Sequence, residues 1–191
     1  MSEIPENYSE EQLAAELRRR GLFTKDGLVK LPIYEMGVEI LPVVCADVIP
    51  VKKDGGLIKV GVILRATGPE SGKLAVIGGR VRRDQKISDA ISKHLKTDLA
   101  ISQWTFHPDN SEEHPFYVQQ YFQRSNSNDK FGYDPTKHAI AMTYLIEIEG
   151  EPKPKNEANS FVWVTEAEIP EVTAYNHGQV MKQAFEFIER R

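Results

Sequence analysis

Three things are scarce in this sequence of 191 residues: cysteine, an excess of basic residues, and long apolar runs. The single cysteine, Cys45, excludes a disulfide within the chain and predicts a thiol that packs as a small hydrophobic side chain. The 24 basic and 28 acidic residues give a formal net charge of -4, which argues against a nucleic-acid partner. No apolar stretch approaches the ~18 residues of a membrane span, and the first ten residues are too polar for a signal peptide. A cytoplasmic protein with no membrane partner is therefore expected.

What is present is an ordinary globular composition, with 40% hydrophobic and 27% charged residues, enough for one domain with a sizeable core. Residues 1–39 are predicted to form a tail and a helix, and residues 40–191 the main domain. Ser9 and Gln12 have the spacing of a capping box, which predicts a helix running from Ser9 to Arg20. This helix offers a surface on which a homodimer can form.

Strand patterns dominate the main domain. The predicted strands are rich in β-branched and aromatic residues, and they are Ile40–Val51, Leu57–Ala66, Leu74–Ile77, Ile101–Phe106, Phe116–Phe122, Ala139–Ile148 and Phe161–Val164. Asp54-Gly55-Gly56 predicts a hairpin turn between the first two. Apolar residues at helical spacing predict helices over Lys86–Asp98 and Asn176–Arg190, and Arg124–His138 is predicted to be a long polar loop. This order predicts an α+β fold, a mixed sheet with helices on both faces.

The segment that begins at Gly78 is the strongest candidate for chemistry. A short apolar strand is predicted to end in Gly78 and Gly79, and a basic loop containing Arg80, Arg82 and Arg83 follows before the helix. Glycines allow a ligand to approach the backbone closely, and arginines beside a helix start are suited to binding phosphate. A simple turn followed by a solvated run of charge is the plainer interpretation of the same residues.

The helix after this loop carries three polar residues on one side. His94, Thr97 and Asp98 lie at positions i, i+3 and i+4, so their side chains are neighbours on the helix surface. His94 and Asp98 together can hold a softer divalent metal such as Mn²⁺ or Zn²⁺. The alternative is a surface histidine beside an exposed acid.

In frame and length, this segment resembles the signature of the Nudix hydrolase family, G-x5-E-x7-R-E-U-x-E-E-x-G-U, where U is a bulky aliphatic residue. The residues at the family's first glutamate, its arginine, its second glutamate and its last two glutamates are, in order, Gln85, Lys93, His94, Thr97 and Asp98. Asp98 is therefore the only carboxylate at the four glutamate positions. The resemblance describes a degenerate Nudix box.

The resemblance implies a Nudix-like α/β/α sandwich and a hydrolase that acts on a nucleoside diphosphate linked to another moiety. It further implies a divalent cation, Mg²⁺ or Mn²⁺, held by Asp98, Thr97 and His94, with His94 also available as a base. The residues implied to bind the substrate are Gly78, Gly79, Arg80, Arg82, Arg83 and Lys93. The lost glutamates leave an alternative open, which is a catalytically inactive module that binds a nucleotide or another protein.

One branch of the family is more similar than the rest. Sugar-nucleotide hydrolases of the GDP-mannose mannosyl hydrolase type also open their box with Gly-Gly-Arg-Val, and they place a histidine base in a loop before the final helix. His177 lies at the comparable place here, which implies a catalytic role for His177 and a sugar nucleotide as substrate. The plainer interpretation is that His177 simply follows Asn176, a natural N-cap. A group of Nudix-like bacterial domains of unknown function looks more similar still, and its degenerate box includes an Arg/Lys-His-Leu segment.

Overall fold

The computed structural model describes residues 41–123 and 131–190, together with residues 9, 12, 15, 16, 19, 20 and 37. The chain divides into two compact units, Met1–Leu41 and Pro42–Arg191. In the first unit, the Ser9 amide donates to Gln12 Oε1 at 2.8 Å and the Gln12 amide donates to Ser9 Oγ at 3.2 Å. The predicted capping box is therefore confirmed. Of the other residues of the predicted tail and helix, residues 15, 16, 19, 20 and 37 are described, and residues 15, 16 and 19 are helical.

Within the described residues, the second unit contains nine strands and two α-helices. The strands are β1 (Val43–Asp54), β2 (Leu57–Arg65), β3 (Leu74–Ala75), β4 (Ile77–Arg80), β5 (Gln103–Phe106), β6 (Tyr117–Phe122), β7 (Gly132–Tyr133), β8 (Ala139–Glu149) and β9 (Ala158–Val164). The helices are α1 (Ile87–Leu99) and α2 (His177–Glu189), with short 3-10 turns at Glu166–Glu168 and Ala174–Asn176. None of the described helices is both long and apolar enough to cross a membrane.

The sheet is mixed, as predicted, and β1 lies at its centre. β1 pairs antiparallel with β2 and β4 and parallel with β8. β8 pairs antiparallel with β5 and β6, and β9 pairs antiparallel with β2. Asp54 is paired with Leu57, so Gly55 and Gly56 alone close the predicted hairpin. Their φ angles of 59° and 83° suit a primed two-residue turn, which glycine adopts without strain.

Side chains that alternate along β1 and β8 enter two separate cores. Ala46 and Val48 of β1 pack with the apolar side of α1, including Ile91 and Leu95. Ile49, one position further along, packs with the apolar side of α2, whose core residues are Val180, Met181, Ala184 and Phe185. The two helices therefore cover opposite faces of the central strands, and the predicted α/β/α sandwich is confirmed.

The place of Gly78 and Gly79 differs from the prediction. Both lie inside β4, opposite Asp47 and Ala46 of β1, rather than in a turn after a strand. The ladder with β1 continues through both glycines, so the strand ends only at Arg80.

The predicted long loop over residues 124–138 also differs. It contains the short strand β7, in which Gly132 and Tyr133 pair with the end of β6. Residues 124–130 of that loop lie outside the described part of the chain.

Candidate functional site

Asp98, the one acid that remains in the box, lies near the end of α1 and is only 5% exposed. The backbone amide of Glu157 donates a hydrogen bond to its carboxylate. Burial, and next the negative charge of Glu157, raise the pKa of Asp98 to about 6. A buried carboxylate beside another negative charge is costly to ionise, so this position favours either a proton or a bound cation.

The connector between β8 and β9 brings Glu157 to this position. The Lys155 amide donates to the Asp98 carbonyl at 2.9 Å, and Asn156 Nδ2 donates to the Thr97 carbonyl at 2.6 Å. The last carbonyls of a helix have no partner within the helix, so the connector satisfies groups that would otherwise need water. The C-terminal end of α1 and the connector are therefore held together by backbone geometry.

Arg65, the last residue of β2, supplies a positive charge to the same site. Its Nη1 lies 3.3 Å from Glu157 Oε2, and its guanidinium lies over the ring of Tyr175, 5.2 Å from the centroid. Its Nε is buried and has no hydrogen-bond partner among the described residues. We call the side chains of Arg65, His94, Asp98 and Glu157 the helix–connector site.

Sequence reasoning missed Arg65 and Glu157 because neither belongs to a motif. They meet because β2 pairs with β9, which sets Arg65 opposite Ala158, the residue after Glu157. A single sequence specifies each strand but not this pairing.

His94 is half-buried on α1 and packs on the backbone of Gly79. A Cβ atom at Gly79 would lie 2.8 Å from His94 Cε1, so the close approach of the ring explains why glycine stands there. The ring donates a hydrogen bond to the Arg80 carbonyl, yet burial lowers the pKa of His94 below its usual 6.5. His94 is therefore neutral at pH 7. His94 and Asp98 lie one turn apart on α1, and the charge of Glu157 influences the pKa of both.

The arginines of the predicted basic loop are not equivalent. Arg80 and Arg82 are partly buried, whereas the Arg83 side chain is 88% exposed and lies 3.6 Å from Asp84. Gln85 Oε1 accepts a hydrogen bond from the Arg82 amide at 2.9 Å. Gln85, at the position of the first family glutamate, therefore fixes the shape of this loop.

The predicted metal ligands do not form a ready-made metal site. Thr97 and Lys93 are exposed, whereas Asp98 is buried, as expected for consecutive helix residues that point in different directions. Among the described residues, no group of three or more His, Cys, Asp or Glu side chains is placed to hold a metal ion. Mg²⁺, however, is usually bound by one or two carboxylates, waters and the phosphates of a substrate. The pair Asp98 and Glu157 fits that donor set.

His177 lies on the other face of the sheet, so the structure does not bring it together with His94 and Asp98. It is buried, and its Nδ1 accepts a hydrogen bond from the Val76 amide at 3.1 Å. Burial, followed by the charge of Arg65, lowers the pKa of His177 to about 3. A neutral ring whose accepting nitrogen is already engaged is poorly suited to act as a base.

The start of α2 is capped differently from the prediction. Asn176 occupies the N-cap position, but its backbone is left-handed, with φ of 64°, and its side chain makes no capping hydrogen bond. Thr173 Oγ1 instead accepts a hydrogen bond from the Gly178 amide at 2.7 Å.

A second group of polar side chains is buried on the α2 face of the sheet. Asp47, Gln119, Tyr121 and Thr143 are 8%, 3%, 4% and 0% exposed, and we call them the interior polar cluster. Asp47 lies opposite Thr143 in the β1–β8 ladder, and Gln119 lies opposite Ala141 in the β6–β8 ladder. Burial raises the pKa of Asp47 to about 7. The signal for this cluster was available in the sequence, because polar residues occupy inward positions of the predicted strands.

Comparison with known proteins gives one family and one fold. A family model described as "Domain of unknown function (DUF4916)" matches residues 30–190. A comparison with curated proteins finds no match. A solved structure from Jonesia denitrificans, described as a candidate asymmetric diadenosine tetraphosphate (Ap4A) hydrolase, is 29% identical to this chain. The match covers 79% of this chain and 97% of that protein, with a TM-score of 0.65.

Two more distant structures share the fold. An Ap4A hydrolase from C. elegans, in a binary complex, is 15% identical, with a TM-score of 0.60 over 78% of this chain and 99% of that one. The NUDIX domain of Shewanella oneidensis NrtR, complexed with ADP ribose, is 16% identical, with a TM-score of 0.53 over 95% of this chain and 99% of that one. These likenesses show a Nudix fold.

Proposed function

This chain belongs to the DUF4916 family and has a Nudix fold, and on that premise we propose that it is a hydrolase of compounds in which a nucleoside diphosphate is linked to another moiety. The observation that carries the proposal is the pairing of Asp98 with Glu157 at the end of α1. The resemblance places metal-binding acids at this end of the box helix. Glu157 supplies from the connector a carboxylate that the box itself has lost.

The residues of the helix–connector site have distinct roles in this proposal. Asp98 and Glu157 hold a divalent cation, Mg²⁺ or Mn²⁺, together with the phosphates of the substrate. When bound, the cation neutralises the diphosphate and makes water a stronger nucleophile. His94 is neutral and donates one ring proton to the Arg80 carbonyl, so its other ring nitrogen can accept a proton from the attacking water. Thr97, the residue before Asp98 on α1, contributes its hydroxyl oxygen as a further ligand of the cation.

Phosphate binding is assigned to the residues that border α1. Arg80 and Arg82 lie at the end of β4 and the start of the following loop, and both precede the helix that carries Asp98. A guanidinium binds phosphate oxygens in a bidentate manner, which Lys93 and the exposed Arg83 support by charge. Gly78 and Gly79 let β4 lie close to Asp47 and to the ring of His94, so they act on the site by positioning these side chains.

The substrate class follows from two separate likenesses. The neighbours described as Ap4A hydrolases and the ADP-ribose complex concern ligands that contain an adenosine diphosphate group. The Gly-Gly-Arg-Val opening of the box resembles that of sugar-nucleotide hydrolases. We therefore propose a sugar nucleotide, such as a nucleoside diphosphate linked to a hexose or ribose, as the substrate of this chain.

A second candidate function is nucleotide binding without turnover. It is favoured by the loss of a carboxylate at three of the four glutamate positions of the box. It is also favoured by the lack, among the described residues, of three His, Cys, Asp or Glu side chains placed to hold a metal ion. In this case the main domain, proposed to span residues 40–191, would act as a sensor or as an interaction module. A homodimer formed through the N-terminal helix is compatible with both functions.

The test is product analysis after incubation with ADP-ribose, Ap4A and GDP-mannose, each with Mg²⁺, with Mn²⁺ and with chelator. The hydrolase proposal expects metal-dependent release of a phosphate-containing product. Asp98→Asn should lower that rate about 10- to 100-fold, the scale for losing a partner of a metal site. Asp89→Asn is the matched control, because Asp89 is an exposed aspartate on the same helix. A rise in melting temperature with ligand but no product in any condition would favour the binding module.

A further inference from the structure

The proposed function assigns no role to the interior polar cluster, although several of its buried polar atoms have no hydrogen-bond partner among the described residues. Within the described residues, no hydrogen-bond partner exists for either amide atom of Gln119, the Tyr121 hydroxyl or the Thr143 hydroxyl. Buried polar side chains are nearly always hydrogen-bonded, so several unpartnered ones on one sheet face mark a site that something else must complete.

The imidazole of His177 borders this cluster at Tyr121. Its Nδ1 is bound to the amide of Val76, between β3 and β4, and its ring meets the ring of Tyr121 of β6 edge-on at 5.5 Å. β1 and β8 lie between β4 and β6 in the sheet. His177 therefore contacts residues on both sides of the two strands that carry Asp47 and Thr143.

The backbone that carries this imidazole is strained. Tyr175 and Asn176 are consecutive residues with φ angles of 53° and 64°, the left-handed region that residues other than glycine adopt infrequently. Tyr175 also contacts the ring of His177, with 5.5 Å between ring centroids. The segment of residues 173–177 therefore borders the interior polar cluster. The left-handed backbone at two of its residues raises the energy of this segment.

We propose that the interior polar cluster recognises the heterocyclic base of the nucleotide, and that the segment of residues 173–177 moves to admit it. This inference rests on the proposed function only in taking the ligand to be a nucleotide. It assigns Asp47, Gln119 and Thr143 a part in selecting the substrate, separate from the chemistry at the helix–connector site.

The chemistry of the cluster suits a base better than a phosphate. The Gln119 amide offers a donor and an acceptor, the Asp47 carboxyl accepts when ionised, and the hydroxyls do both. Adjacent donors and acceptors are what the edge of a base presents. Lys137, whose charge acts on Asp47, is already paired with Asp134 at 2.6 Å, so it is not a free cation for phosphate.

Planar rings lie beside the cluster and favour a flat ligand. The rings of Tyr121 and His177 stand beside the polar atoms, and aromatic side chains stack on any base. The cluster also adjoins the box strand, because Gly78 of β4 lies directly opposite Asp47 of β1. A base held here would lie one strand away from β4, the strand that ends at Arg80.

The test is calorimetric titration of the full chain with inorganic pyrophosphate, with the four common ribonucleosides and with their diphosphates. The wild type should bind one nucleoside diphosphate at least about tenfold more tightly than the other three, the scale of one well-made hydrogen-bonded pair to a base edge. Asp47→Asn and Gln119→Met should remove this preference and leave pyrophosphate affinity unchanged. Gln120→Met is the matched control, because Gln120 is the next residue of β6 and points to the opposite face of the sheet.

Each outcome separates this inference from the proposed function. Equal binding of the four diphosphates and pyrophosphate would overturn the base subsite and leave the diphosphate hydrolase standing. Base preference among nucleosides without pyrophosphate binding would support the subsite and overturn the hydrolase. Absence of both would overturn both.

Melting temperatures without ligand exclude a purely structural role. Thr143→Val and Gln119→Met keep the side-chain shape and remove polar groups that have no partner, so the melting temperature should stay the same or rise. A fall of several degrees in both variants, with base preference retained, would assign the cluster to the core and contradict the proposal.

Discussion

Both faces of the central strands carry buried polar groups, but the two faces differ in whether these groups have a hydrogen-bond partner. On the α1 face, Asp98 accepts a backbone hydrogen bond from Glu157, and His94 donates one to Arg80. On the α2 face, Gln119 and Thr143 are equally buried but have no hydrogen-bond partner among the described residues. The α1 face thus pairs the polar groups of its motif, with Arg65 Nε as an exception, whereas the interior polar cluster leaves most of its side-chain polar atoms without a partner in the described part of the chain, which is why we propose a ligand there.

The largest effect is expected for a substitution at Gly78, the first of the two glycines of β4. A Cβ at Gly78 would lie 2.4 Å from Asp47 Oδ1 and 2.5 Å from the Ala46 carbonyl oxygen, against backbone that cannot move, at φ of 153°. Gly78→Ala should therefore lower the free energy of unfolding by about 3 kcal/mol, or prevent folding. Urea denaturation measures this loss. A loss below about 1 kcal/mol would show that the β1–β4 contact is looser than described.

The next effect concerns Asp47 and pH. Its folded pKa of about 7 lies above the usual ~3.9, so the protonated form is favoured in the folded state. Its contribution to stability is full below pH ~4 and is lost as the pH rises through about 7. Asp47→Asn should remove most of the decrease in stability between those values, because the amide does not ionise. Thermal unfolding at a series of pH values is the measurement, and an unchanged slope in the variant would contradict the buried placement of Asp47.

A smaller effect is expected at Gly79, on the α1 side. Its added Cβ would meet the ring of His94, a side chain that can shift, so Gly79→Ala should cost about 1 kcal/mol. The double variant Gly79→Ala, His94→Ala should recover most of that cost, since the collision is removed. A double-mutant cycle in urea measures the coupling, and strictly additive losses would mean that the ring does not rest on Gly79.

The smallest effect on stability is expected at Glu157. Its side chain is 53% exposed, and its ion pair with Arg65 is partly screened by water. Glu157→Gln should lower the free energy of unfolding by about 1 kcal/mol or less, because the glutamine oxygen can still accept a hydrogen bond from Arg65, whose side chain is 14% exposed. Chemical denaturation of the variant checks this value. A much larger loss would make Glu157 a structural residue and weaken its assignment to the site.

The sequence predicted the fold well because its signals are local. Alternating apolar residues along β1 and β8, and helical spacing in α1, identify elements whose buried sides allow one arrangement of layers. The site was predicted only in part. His94 and Asp98 lie on one helix and can be found by spacing, whereas Arg65 and Glu157 meet through strand pairing. Gly79 was assigned to a turn because a single sequence does not reveal that the imidazole of His94 rests on it.

The most direct test of the helix–connector site compares product release from ADP-ribose, with Mg²⁺, by the wild type, Glu157→Gln and Glu171→Gln. Glu171 is an exposed glutamate in another loop and controls for loss of one negative charge. We predict metal-dependent turnover that falls about 10- to 100-fold in Glu157→Gln, because a cation ligand is lost, and that stays unchanged in Glu171→Gln. Metal-dependent turnover that is equal in all three proteins would contradict the claim that Glu157 replaces an acid lost from the box.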